Sequence, residues 1–243
     1  MKSVVIIPTF NEEKSIGAVL RDIPARFNDC VFVADNGSTD STSQIARNFG
    51  AHVVVAPRRG YGSACLAAIK AAKSLKPDIF IFLDGDYSDY PEDMTKIYDK
   101  LNHEKLDLVI GTRMTDLAEP GSLLPQARFG NWLATKLMFL RYGYRFSDLG
   151  PFRAIRTEAL DQLQMTDPDF GWTVEMQIKA LKMGLSVAEV PVRYRRRIGH
   201  SKITGTLSGT IRAGLKILWV IFRHSINFPF LVRSPHESKT RIY

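Results

Sequence analysis

The stretch Ile79-Phe80-Ile81-Phe82-Leu83-Asp84-Gly85-Asp86 decides the fold. Five apolar residues without alternation predict a short strand buried on both faces, as in a sheet covered on each side. The strand stops at two carboxylates separated by a glycine, and a helical stretch follows Pro91 to about residue 101. Working outward, the same unit repeats. Residues 4–7 lead to Pro8-Thr9-Phe10-Asn11-Glu12 and a helix with Ile16, Val19, Leu20 and Ile23 on one side. Residues 31–34 lead to Asp35-Asn36-Gly37-Ser38-Thr39-Asp40 and a helix to about residue 48. Residues 53–55 lead to Arg58-Arg59-Gly60-Tyr61-Gly62 and an alanine-rich helix, and residues 108–110 form a further strand. Strands alternating with amphipathic helices predict an α/β, Rossmann-like, mostly parallel sheet flanked by helices. Such sheets bind ligands beyond the carboxyl ends of their strands, where these polar motifs fall.

Past Thr112 the rhythm changes. Residues 115–125 read as a loop, 127–140 as a helix, 152–155 as a strand, 172–183 as a helix and 186–190 as a strand. From residue 205 the pattern is helical, and the last ten residues are polar. With no repeat, low-complexity segment or linker, the two halves are expected to pack as one domain.

Composition excludes several classes. A chain of 243 residues that is 45% hydrophobic and 24% charged is neither disordered nor collagen-like. Cys30 and Cys65 lack a second Cys or a His at ligand spacing and read as reduced thiols. The longest apolar run, Ile217-Leu218-Trp219-Val220-Ile221-Phe222, is far short of the ~20 residues a spanning helix needs. Residues 4–7 are stopped by Pro8, so they make no signal-peptide core, and the chain is expected to stay in the cytoplasm, in solution or on a membrane surface. The net charge of +8 is uneven: from Arg193 to Tyr243 eleven Lys/Arg face one acid, Glu237. That basic segment predicts an anionic partner: a phosphate substrate, a nucleic acid or a lipid surface. It lacks the interleaved exposed aromatics of a single-strand binder, which argues against nucleic acid.

Each motif has two readings. Asp84 and Asp86 suit a hard divalent cation, with Gly85 letting backbone approach a ligand, or simply a turn. Asp35–Asp40 is a turn with a helix cap, or a ribose and base contact. The loop through Gly60 and Gly62 supplies positive φ, or it presents N–H groups and guanidinium ions to a diphosphate. Arg193-Tyr194-Arg195-Arg196-Arg197 with Gly199-His200-Ser201-Lys202 is a solvated charge run, or a loop that closes on phosphate.

Taken in order, Pro8–Glu12, Asp35–Asp40, Gly60–Ala64, Asp84–Asp86, Gly111-Thr112-Arg113 and Gly199–Lys202 closely resemble the family 2 glycosyltransferases of GT-A fold. Within them, the chain looks most like the dolichyl-phosphate mannosyltransferase branch. The resemblance spans roughly residues 3–210. It implies a GT-A domain over 1–203, with a nucleotide-sugar half (1–112) and an acceptor half (113–203). A basic amphipathic helical tail follows over 204–243.

The resemblance also assigns roles. Pro8, Phe10 and Glu12 would line the nucleotide pocket, with Phe10 where the family usually has Tyr. Asp35 and Asn36 would meet the base and ribose, although Asn36 departs from the usual second Asp. Gly62 and Gly85 would approach the nucleotide sugar, and Asp84 and Asp86 would hold Mg²⁺ or Mn²⁺ on its diphosphate. Ser88 stands where relatives often carry Gln. Arg113, Arg196, Arg197 and Lys202 would neutralise phosphates. Asp148-Leu149-Gly150-Pro151-Phe152-Arg153 resembles the family's Asp…Gly-Phe-Arg segment, interrupted by Pro151.

The implied reaction is inverting transfer of a hexose from a nucleoside diphosphate sugar of the GDP-mannose or UDP-glucose type to a polyprenyl phosphate. Alternatives are a soluble hydroxyl acceptor or a sugar nucleotidyltransferase. An ionised phosphate acceptor needs no strong base, whereas a hydroxyl acceptor would use Asp148. The catalytic set is then Asp86, Asp148, Arg197 and Lys202, with Arg128 and Ser201 at the acceptor. Arg128 opens an apolar helix carrying Phe129, Trp132, Leu133, Leu137 and Leu140. In the tail, Leu207, Ile211, Leu215, Leu218 and Phe222 share a face, which is expected to lie on a membrane or to pack on the domain or a second subunit.

Overall fold

The computed structural model describes residues 1–199 and 207–226, apart from the side chains of 207, 208 and 210. In chain order the elements are β1 (Ser3–Thr9), α1 (Ile16–Asp22), β2 (Val31–Asp35), α2 (Thr42–Asn48), β3 (His52–Val55), α3 (Tyr61–Ala72), β4 (Ile79–Phe82) and α4 (Met94–His103). There follow β5 (Leu108–Thr112), α5 (Pro125–Tyr142), β6 (Arg153–Arg156), α6 (Thr157–Leu163), α7 (Trp172–Lys182), β7 (Val187–Pro191) and α8 (Leu207–Ser225).

One seven-stranded sheet runs in the order β3-β2-β1-β4-β6-β5-β7. Every pairing is parallel except those of β6, which lies antiparallel between β4 and β5. The buried strands separate their side chains by the two-residue period of extended backbone. Val4, Ile6, Phe80 and Phe82 face one apolar layer with Ala64, Cys65, Ala68 and Ala72 of α3. Val5, Ile7, Ile79 and Ile81 face the other, with Val19, Leu20, Ile97 and Leu101 from α1 and α4. The small side chains of α3 let that helix lie close over β1 and β2.

The second half shares this core. Trp172, Val174, Met176 and Ile178 of α7 join the same layer as Val4 and Phe80. Pro125 begins α5 at a position where its missing N–H is harmless, and Gly143 ends it at φ 75°. The basic tail helix also packs on the domain: Ala213, Val220 and Ile221 of α8 are buried, against α5 and α7. Among the described residues no helix is long and apolar enough to cross a membrane.

Candidate active site

The carboxyl ends of β1, β2 and β4 open into a cleft of about 470 Å³. Pro8, Phe10, Glu12, Asn36, Asp84, Gly85, Asp86 and Arg197 all line it. Arg59 and Tyr61 of the 58–62 loop line it too, and the structure adds Asp169, Phe170 and Arg212. Arg59 lies over the Phe10 ring, 4.7 Å from its centroid. The Gly60 N–H donates to Asn36 Oδ1 at 3.1 Å, which leaves the Asn36 NH₂ as the amide's donor side.

The acidic floor is a group of three. Asp86 Oδ1 accepts from the Ser88 N–H at 2.9 Å and from the Ser88 hydroxyl, while Oδ2 faces Arg197 at 3.2 Å. Arg197 also reaches Glu12 Oε1 at 3.2 Å, so one guanidinium spans two carboxylates across the cleft. Asp89 lies fully buried behind them and accepts from the Asp84 N–H at 3.3 Å. Among the described residues, Asp84 Oδ1 and Asp89 Oδ1 are buried without a hydrogen-bond partner, as is the Tyr61 hydroxyl. Burial, then repulsion from Asp86, pushes the Asp84 carboxyl up to about 7. Burial, then Asp84 and Asp86, pushes Asp89 up as well. Orphaned carboxylate oxygens and crowded negative charge are what a divalent cation relieves, so Asp84 and Asp86 fit one. Among the described residues no three such side chains form a ready-made cage. A cation here would need further ligands from a bound molecule.

The loop at 193–199 is strapped across this floor. The Ile198 N–H donates to Asp86 O at 3.0 Å and the Arg195 N–H to Ser88 O at 2.9 Å. Arg195 stacks on Tyr87 and Tyr90, at 3.4 and 3.9 Å from their centroids. Tyr87 holds φ 64°, a left-handed conformation rare for a bulky residue, immediately after Asp86.

A second cavity of about 210 Å³ lies in the insertion between β5 and α5. Arg113 and Arg128 line it, together with Asp116, Glu119 and Gly121. Glu119 is engaged by Tyr90 and by the Arg196 N–H.

Five expectations change. Gly62 has a packing role: a Cβ there would sit 2.0 Å from Asp167 O, so its missing side chain lets α3 meet the 167–168 backbone. Asp35 is buried and turned into its own loop, accepting from the Ser38 N–H at 2.8 Å and from Ser43. Burial raises its carboxyl, but these hydrogen bonds outweigh that and hold it below the usual range. Arg196 donates to Pro120 O at 3.1 and 3.3 Å, so it secures the 119–121 loop and does not line the donor cleft. Asp148 is fully buried, and both its oxygens accept from Arg113 at 2.8 Å. Buried and gripped through both oxygens, it is the anchor of Arg113 and is not presented as a base. In the tail, Leu218 is half-buried and Trp219 takes its place on the exposed face. Ser201 and Lys202 lie outside the described residues.

A covered, mostly parallel sheet with paired carboxylates at a strand end and a basic strap over them is the site of an α/β enzyme built to receive an anionic ligand. Residues 4–164 match the model of glycosyl transferase family 2, and the chain belongs to that family. It is 37% identical over 220 residues to an uncharacterized glycosyltransferase of Mycobacterium bovis, covering 89% of this chain and 96% of that one. It is 36% identical over 204 residues to the dolichyl-phosphate hexose transferase of Haloferax volcanii, covering 82% and 85%. Among solved structures, glucosyl-3-phosphoglycerate synthase from Mycobacterium tuberculosis in complex with phosphoglyceric acid superposes with a TM-score of 0.75. That match has 22% identity and covers 92% of this chain and 80% of that one, which establishes the shared GT-A fold.

Proposed function

We propose that this glycosyltransferase moves a hexose, with inversion, from a nucleoside diphosphate sugar to a polyprenyl phosphate. The carrying observation is the second cavity: Arg113 and Arg128 line it outside the donor cleft, while the one buried carboxylate expected to act as a base is locked by Arg113. Two guanidinium groups suit an acceptor that arrives as an ionised phosphate and needs no proton removed. The name of the Haloferax relative supports a lipid phosphate at substantial identity.

In this reading Phe10 and Arg59 flank the base, and Asn36 offers its NH₂ to a carbonyl of the base or a ribose hydroxyl. Asp84 and Asp86 would hold Mg²⁺ or Mn²⁺, which supplies counter-charge to the donor diphosphate when bound. Arg197 exchanges Asp86 and Glu12 for diphosphate oxygens and stabilises the charge that grows on them as the glycosidic bond breaks. Arg113, held rigid by Asp148, and Arg128 aim the acceptor phosphate at the face of the sugar opposite the leaving group.

A soluble acceptor is the second reading, favoured by the phosphoglyceric acid complex of the structural neighbour. The test is a product assay with nucleotide sugars and Mn²⁺, offering polyprenyl phosphate or phosphoglycerate. Arg128→Ala should abolish transfer to the lipid phosphate and leave slow donor hydrolysis nearly intact. If both activities fall together, or only phosphoglycerate accepts sugar, the lipid reading is wrong.

A further inference from the structure

One wall of the donor cleft comes from segments that carry no motif. Asp169 and Phe170 line it, and so do Gly209 and Arg212 of α8. The tail helix, expected as an extension beyond residue 203, therefore reaches the cleft itself.

Residues 166–171 join α6 to α7 without regular structure of their own, so neighbouring helices have to fix them. Three do. At the start of α3 the Ser63 N–H donates to Pro168 O at 2.8 Å, and a Cβ on Gly60 would come within 2.2 Å of the same oxygen. From α7 the buried Glu175 accepts from the Asp167 N–H and from the Thr166 hydroxyl, each at 2.7 Å. From α8 the Lys216 ammonium meets Asp167 Oδ2 at 2.8 Å. The tail helix also presses close: a Cβ on Gly171 would lie 2.6 Å from Val220 Cγ2 and 2.6 Å from Asp167 Oδ2.

Asp167 is the joint between tail and cleft. Its side chain is buried, and while Oδ2 takes Lys216, Oδ1 accepts the Asp169 N–H at 2.8 Å. One carboxylate thus ties an ammonium of the tail helix to the backbone of a cleft residue. The pair also settles a charge conflict. Burial, then Asp167, pushes the Asp169 carboxyl up, and Lys216 and Arg212 act against that rise. A buried carboxylate that loses its cation has to rehydrate or move, and here it would carry the loop with it.

We infer that α8 is a wall of the donor site and that Lys216 is a positioning residue, which through Asp167 holds Asp169 and Phe170 in the cleft. Its effect on binding rests on the reading that this cleft takes a nucleotide sugar; the mechanical link does not.

The experiment therefore uses two readouts on the full chain. Hydrogen exchange of residues 166–171 without ligand reports the loop, and calorimetry with UDP-glucose or GDP-mannose in the presence of Mn²⁺ reports the cleft. Lys216→Met keeps the apolar stem and removes the charge. It should speed exchange at 166–171 and weaken nucleotide-sugar binding, each by about 10-fold or more. Lys216→Arg should restore both, since a cation again meets Asp167. In an Asp167→Asn background, Lys216→Met should cost no further affinity, because the link is already broken. Ile221→Ala, buried in the same helix, should lower the melting temperature and leave the affinity at the wild-type value. Unchanged exchange in Lys216→Met overturns the inference, whatever the affinity does. So does faster exchange with unchanged affinity, or an equal loss of affinity in Ile221→Ala, which would reduce the pair to general stability. A wild type that binds neither nucleotide sugar, with exchange still responding to Lys216→Met, would refute the donor reading and leave Lys216 as the residue that positions this wall.

Discussion

Asp84→Asn should make the protein more stable while removing its transfer activity. The carboxyl of Asp84 is pushed from 3.8 up to about 7, first by burial and next by Asp86. An upward displacement of that size corresponds to about 4 kcal/mol of folding stability. The sign follows from proton counting. The unfolded chain releases this proton near 3.8 and the folded one near 7, so between them the native state holds the extra proton. Stability therefore falls as pH rises through that window, and the whole penalty applies above it. Asp84 is only half-buried by exposed surface, and water in the cleft screens it, so we discount the penalty to about 2 kcal/mol. Asparagine keeps the shape without the charge. Urea denaturation with chelator present at about pH 8 should place Asp84→Asn about 2 kcal/mol above wild type, and the curves should converge at about pH 4. Added Mn²⁺ should raise the wild type alone. A variant no more stable than wild type at the higher pH would refute the reasoning, as would a gap unchanged by acid.

Gly62→Ala should destabilise by more than about 2 kcal/mol in thermal melts, because its Cβ would overlap Asp167 O. Gly130→Ala, inside α5 with nothing within 4 Å of the added methyl, should instead gain about 0.5–1 kcal/mol. Arg113→Ala strands the fully buried Asp148 and should lose about 3–5 kcal/mol in urea denaturation; Arg113→Lys, lacking the fork, should recover only part.

The first half of the chain was legible because its information is local. Buried strands announce themselves as unbroken apolar runs, and the motifs at their ends sit where an α/β sheet must place them. Seven of the cleft residues named above, all but Arg197, lie in motifs that this rule places there. What stayed hidden depends on contacts distant in sequence. The reversed direction of β6 cannot be read from Arg153–Arg156, since a four-residue strand with three residues buried looks alike in either direction. Gly62 resembles a phosphate-loop glycine until the 167–168 backbone is seen against it. Asp148 reads as a candidate base until Arg113, 35 residues away, closes on it. Asp89 had a signal, since an acid three residues past Asp86 returns to the same loop, but only the fold shows its oxygen buried beside Asp84. Asp169, Phe170 and Arg212 reach the cleft from segments with no motif.

The reversal of β6 has an architectural consequence. The chain leaves the sheet at the end of β5 and re-enters beside it, where Ile110 pairs with Arg153 and the Gly111 N–H donates to Phe152 O at 2.8 Å. The Arg113–Asp148 clasp closes just outside that doorway. Everything between, the second cavity and α5 included, hangs as a cassette whose two ends are already adjacent. Cassettes of this kind tolerate exchange, because the entropy of closing a loop depends only weakly on its length. A chimera joined at Thr112 and Arg153 would thus test whether the acceptor preference proposed above travels with this segment. The constraint on such a graft lies in the packing of α5 on α7 and α8, where Ala134, Met138 and Tyr142 join the shared core: the incoming cassette has to match both helices.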